Sequence, residues 1–259
     1  MEIKSPQYLD FTSGPRIFWT GGFHGSRIIM EKIDLIPVRL EAEEIARHLR
    51  LRPERTGTSI LGELIGLAGP LIKLRAVYDV AYVGAKDAEG VEVAGVHFQS
   101  QVLRENLDGV QKVFPYIMTI GGELEQRASS SGDLLKQYYL EEMANLVLDQ
   151  GAVWLVETLQ ARWGIPLLSN MSPGSLEDWP ITEQGKLFSL FGDTEKAIGV
   201  RLTDHFLMIP RKSISGILFP SEEGFTACQL CPRETCPSRR APHDEALTAK
   251  YRRRDFPER

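Results

Sequence analysis

The chain's three cysteines fall within nine residues, as Cys228-x2-Cys231-x4-Cys236. Thiolates are soft ligands that suit zinc and iron–sulfur clusters. A two-residue gap lets two sulfurs converge on one ion from a single turn. Pro232 and Pro237 follow two of the cysteines and stiffen the backbone there. His243, seven residues after Cys236, is the candidate protein ligand for a fourth position. A closed structural zinc site needs four ligands, and a cluster can leave one iron open, so zinc and an iron–sulfur cluster are both expected candidates. An odd cysteine count in one tight group argues against a disulfide framework and for a reducing compartment. A cytoplasmic protein is therefore expected.

No other constellation reads as a catalytic centre. His205 reads as a structural residue rather than a base, His97 has no acidic partner evident in the sequence, and nothing resembles a nucleophile with a placed base. No glycine-rich dinucleotide or phosphate-loop pattern is present. The net charge of −5 and pI near 5.7 are unsuited to a general nucleic-acid binder, which needs a dominant basic face. Residues 233–259 depart from that balance, with eight Lys/Arg against five Asp/Glu. This basic tail suits solvent or an anionic contact. No run of about 18 apolar residues exists, so no membrane span is expected.

These groups must be positioned by a mixed set of elements. Asp133 to Trp163 is the clearest, with Leu135, Tyr139, Met143, Leu146, Ala152, Leu155, Val156 and Leu159 at helical spacing. Gly151 marks either a close contact or a bend within it. Helices are also expected near 39–50, 58–69 and 99–112, and from a Thr182 cap to about Phe191. A further short helix should end at Gly199. Leu74–Val83, Val91–Phe98, Phe114–Ile120, Phe206–Pro210 and Ser213–Phe219 read as strands, and Ser169–Pro180 reads as a loop. The order lacks regular β-α-β alternation, which favours α+β with an antiparallel sheet over a doubly wound fold.

Four stretches bring a known family into view. Thr119-Ile120-Gly121-Gly122-Glu123-Leu124-Glu125 is similar to the T-G-G-L-E segment of the cobalamin-dependent methionine synthase activation domain. Ser172-Pro173-Gly174 with Thr182-Glu183 resembles that family's P-G-Y loop and following helix. Leu202 to Pro210 resembles its L-T-E-S-F-A-M-x-P strand, and Ser213-Ile214-Ser215-Gly216 its S-V-S-G. The stand-alone members look closer still. Their S-P-G-x-x-x-W-P and Q-x-x-L-F are resembled here by Ser172-Pro173-Gly174 and Trp179-Pro180, with four residues between Gly174 and Trp179, and by Gln184 and Leu187-Phe188. Their C-x2-C-x4-C-x-x-R run is matched through Arg239.

The resemblance implies a helmet-like single α+β domain with a twisted antiparallel sheet and a long helix. On that basis 1–30 is an irregular lead-in, 31–226 the activation-like domain, and 227–259 the three-cysteine segment and basic tail. The implied role is reactivation of a corrinoid-dependent methyltransferase, with S-adenosylmethionine bound while cobalamin on a partner is reduced and remethylated. The chain has no D-x-H-x-x-G corrinoid motif, so a corrinoid-binding partner should carry the cobalamin. An electron-donor protein is a further partner. The implied ligand cleft involves Glu157, Asn170, Ser172, Pro173, Gly174, Ser175 and Phe225. Two positions depart from the family pattern. Asn170 stands where the family's ligand-binding arginine would be, and Ser175 where a tyrosine follows the glycine. The alternative expectation is a non-catalytic, metal-stabilised binding module on the same fold.

Overall fold

The computed structural model describes residues 30–51, 58–236 and 239–252. The expected irregular lead-in, Met30 excepted, lies outside them, as do Arg253, Arg254 and Arg259 of the basic tail. The elements run β1 (Glu31–Ile33), α1 (Ala42–His48), α2 (Thr58–Ala68), β2 (Arg75–Tyr78), β3 (Ala81–Lys86), β4 (Gly90–Val93) and β5 (Val96–Gln99). Then come α3 (Gln101–Asn106), β6 (Lys112–Thr119), α4 (Glu123–Ser129), α5 (Leu134–Trp163) and β7 (Leu168–Met171). The last are α6 (Gln184–Ser189), α7 (Thr194–Ile198), β8 (Arg201–Leu202), β9 (Met208–Ile209), β10 (Ser213–Pro220) and α8 (Glu245–Arg252). The fold is α+β, with antiparallel strand pairing throughout its main sheet.

β6 is the spine of an eight-stranded sheet. β10 flanks it on one side, followed by β7. On the other side lie β2 and β3, one bent strand in two parts. The break has a chemical cause in Pro115. Tyr78 pairs with Tyr116 and Ala81 with Val113, so Asp79 falls opposite Pro115, the one β6 residue without an N–H, and Val80 opposite Phe114. Asp79 keeps its own N–H bond to the Pro115 carbonyl at 3.0 Å. Its carboxylate turns onto the Val80 N–H at 2.7 Å. The expected strand over 91–98 is a hairpin, turning at Ala94 and Gly95, both with positive φ.

Successive β6 side chains alternate between two cores. Phe114, Tyr116 and Met118 face α1, α2 and α5. Val113 and Ile117 face the β3–β5 hairpin, α3, α6 and α7. A strand buried on both faces reads as the continuous apolar run seen in the sequence.

α5 is one unbroken helix of 30 residues. Asp133 caps its start by accepting from the Leu135 and Lys136 N–H groups, and Gly164 ends it in the left-handed conformation at φ 63°. Gly151 is a packing contact, not a bend: a Cβ there would lie 2.5 Å from Leu74 Cδ2 and 2.9 Å from Met118 Sδ. The helix thus lies directly on β6. Its far end is clamped by Arg162, which donates to Glu31 and to the Tyr78 hydroxyl, each at 2.5 Å.

Candidate functional site

Between α5 and the β6–β10–β7 wall lies a cleft of about 720 Å³. Four of these elements and the C-terminal segment build it. The exposed side of α5 supplies Asp149, Val153 and Glu157 at four-residue spacing, with Ala152, Val156 and Gln160 beside them. β10 supplies Ile214 and Leu218, and β6 the Tyr116 hydroxyl. Asn170 and Ser172 come from the end of β7. Arg240 reaches the rim from the C-terminal segment and pairs with Asp149 at 2.6 Å.

Of the residues expected at a ligand site, Glu157, Asn170 and Ser172 line this cleft. Pro173 is buried in the adjoining turn. Gly174, at φ 82°, donates its N–H to the Trp179 carbonyl at 2.7 Å. The Ser175 hydroxyl donates to the Ser172 carbonyl at 2.6 Å, so it closes its own turn. Phe225 stacks edge-on against Tyr251 with ring centres 6.4 Å apart. These four are not among the lining residues. Sequence reasoning missed Tyr116, Asp149 and Arg240. Tyr116 had a usable signal, because a tyrosine inside a fully buried strand needs a partner for its hydroxyl.

Burial pushes Tyr116 up to about 12, against the lowering influence of Asn170, Arg240 and Ser172. Its hydroxyl therefore stays protonated at neutral pH and can both donate and accept at the cleft floor. Gly216, opposite Tyr116 on β10, is required by close approach. A Cβ there would stand 2.5 Å from the Met171 carbonyl oxygen, 2.7 Å from Ser172 Oγ and 2.8 Å from Asn170 Oδ1. Gly216→Ala is expected to cost about 1–3 kcal/mol in urea unfolding, because backbone must move to admit the methyl.

Residues 174–228 match the family model described as vitamin B12 dependent methionine synthase, activation domain. Over that stretch, about a fifth of its length, the chain is similar to the methionine synthase activation domains. Its fold resembles a solved structure titled "Crystal Structure of the MetH Reactivation Domain bound to AdoHcy", at a TM-score of 0.54 and 15% identity. That likeness covers 80% of this chain and 86% of the other, and at such identity it is a likeness of fold. No curated protein matches the sequence at a significant level.

Several residues of the activation-domain motifs prove to be scaffolding. Trp179 is fully buried and meets Phe98 edge-to-face at 5.9 Å. Asp178 accepts from the Ser100 hydroxyl and from the Gln101 and Val102 N–H groups, covering the start of α3. Gln184 donates to the Ser215 hydroxyl at 2.7 Å, tying α6 to β10. Ser213 donates to Thr119 Oγ1 or the Pro210 carbonyl, at 2.9 and 2.7 Å.

The expected zinc or iron–sulfur site at Cys228, Cys231, Cys236 and His243 is overturned. Among the described residues no group of three His, Cys, Asp or Glu side chains is placed to hold a metal ion. All three cysteines are free thiols. The loop is organised around a guanidinium instead. Arg239 donates to the carbonyls of Cys228 (3.0 Å), Ala241 (3.1 Å) and Cys231 (3.3 Å), and to that of Arg233. Thr226 and Gln229 form a capping box around the turn that holds Cys228. The His243 ring is engaged by the Thr248 hydroxyl at 3.1 Å.

Burial pushes the Cys228 thiol up, but the Arg240 N–H, the Thr226 hydroxyl, the Ala241 N–H and the Arg239 charge outweigh it and hold the thiol below its ordinary value. Hydrogen bonds to a charged group contribute about 1.5–3 kcal/mol each. Arg239→Ala should therefore open the loop and speed thiol labelling by a disulfide reagent roughly tenfold or more. An unchanged labelling rate would show that something else holds the loop.

Proposed function

We propose that the chain is a reactivation module for a corrinoid-dependent methyltransferase. It docks over cobalamin carried by a partner and holds S-adenosylmethionine in the cleft between α5 and β10 while the cobalt is reduced and remethylated. The observation that carries this reading is the overlap of the family match with the cleft. The matched stretch contains β10, whose Ile214 and Leu218 line one wall, and Asn170 and Ser172 immediately precede it. The fold's likeness to a reactivation domain described as bound to AdoHcy supports the same ligand class. A cleft of this volume suits a small molecule of that size.

In this role the protein positions and does not itself react. The sulfonium donor supplies the methyl group, and reducing equivalents come from a separate electron-donor protein. The apolar wall of Val153, Val156, Ile214 and Leu218 excludes water from the body of the ligand. The protonated Tyr116 hydroxyl and Ser172 offer fixed polar contacts at the floor.

The test is reconstitution. The purified chain is added to a cob(II)alamin-loaded corrinoid protein with reductant and S-adenosylmethionine, and absorbance is followed. Methylcobalamin should form only when the chain is present. Equal rates with and without the chain would sink the proposal. The departures at Asn170 and Ser175 favour a second reading, a non-catalytic module whose cleft receives a protein segment. That reading expects stable complex formation with the corrinoid protein and no S-adenosylmethionine binding.

A further inference from the structure

We infer that Arg240, together with Asp149, forms a zwitterion-reading pair at the cleft rim, with Arg240 taking the carboxylate of a ligand that ends in an α-amino acid. The inference rests on the proposal that the cleft holds an adenosyl ligand, and it names the residues that would distinguish one such ligand from another.

The charged residues lining the cleft are Asp149, Glu157 and Arg240. Asp149 and Glu157 stand eight residues apart on α5, about 12 Å along its axis. Arg240 meets the first of them. One end of the cleft thus presents a cation and an anion in contact, and the other presents an acid. An α-amino acid carries a carboxylate and an ammonium on neighbouring atoms. It complements the Arg240–Asp149 pair group for group, carboxylate to guanidinium and ammonium to carboxylate.

The pair is built to be exchanged. Its side chains are 60% and 56% exposed, and an ion pair so exposed contributes only about 0–1 kcal/mol. Parting it costs little. A guanidinium can then grip a carboxylate through two parallel N–H bonds, a geometry lysine lacks.

Arg240 is also delivered to a defined place. Its backbone N–H donates to Cys228 Sγ at 3.4 Å, and its neighbour Arg239 is fixed to four carbonyl groups of the loop. Its charge is felt at the cleft floor, where it acts on the Tyr116 hydroxyl.

Calorimetry with two probes tests this. S-adenosylhomocysteine carries the amino-acid end; 5′-methylthioadenosine has the same adenosyl thioether without it. Wild type should bind S-adenosylhomocysteine roughly tenfold tighter or more. Arg240→Ala should weaken S-adenosylhomocysteine roughly 10- to 100-fold and leave methylthioadenosine unchanged. Arg240→Lys should recover only part of the loss. Equal wild-type affinity for the two probes would overturn the inference while leaving an adenosyl cleft in place. So would an equal loss of both in Arg240→Ala. If neither probe binds wild type, the adenosyl reading of the cleft falls, and this inference with it.

Discussion

Trp179→Ala is expected to lower the unfolding free energy by about 3–5 kcal/mol in urea titrations, among the largest losses open to a single core substitution. The indole is fully buried, packs edge-on against Phe98, and belongs to the core that also contains Met171, Leu187, Ile217 and Phe219. Its backbone carbonyl, which alanine keeps, holds Gly174 in the turn beside the cleft, so the loss reads side-chain packing alone. The chemically informative control is Trp179→Phe. Among the described residues the buried indole N–H has no hydrogen-bond partner, and an unpaired buried donor costs about 1–3 kcal/mol. Phenylalanine removes that cost while keeping most of the packing. It should therefore destabilise far less than alanine. Equal losses in the two variants would mean that the indole nitrogen is satisfied after all.

Asp79→Asn should stabilise the protein by up to about 3 kcal/mol at pH 7. Burial raises the Asp79 carboxyl from 3.8 to about 6, the Val80 N–H lowers it, and Glu31 adds to the rise. A folded-state value above the unfolded one means that the native protein binds the extra proton. The stabilisation is complete below about pH 4 and is lost as pH climbs through about 6. Wild type should thus gain stability between pH 7 and pH 5. Asparagine, which can still accept from Val80, should show no such gain. Urea unfolding of both proteins from pH 4 to pH 8 checks this. An Asp79→Asn variant weaker than wild type at pH 7 would refute it.

Legibility in the sequence followed the physics of each element. α5 was plain because its apolar spacing, Asp133 cap and Gly164 stop all agree. The interruption between β2 and β3 was hidden because its cause lies on a different strand. Nothing in Asp79-Val80 announces a break; Pro115 does, once β6 is known to be its neighbour. The hairpin between β4 and β5 was masked by Ala94, which takes the positive φ usually left to glycine or asparagine. β7, expected as loop, is only four residues long and mixes Ser and Asn into an edge position.

The cleft was partly visible. Glu157, Asn170 and Ser172 came into view through the resemblance, and the exposed spacing of Asp149, Val153 and Glu157 was available on a helical projection. Arg240 was not, because its arrival depends on how the chain folds back after Phe225. The cysteine spacing misled. It carries the pattern of a metal site, and only the carbonyl contacts of Arg239 reveal a different organiser.

The close seating of Gly151 and the Arg162 clamp make α5 a fixed jaw. The sheet forming the other wall is equally set, with β6 and β10 joined along six residue pairs. Admission of a guest must then be governed from the third side. There the segment bearing Arg240 meets α5 through a surface charge contact that is cheap to undo. Entry and release should accordingly answer to ionic strength more than to core packing.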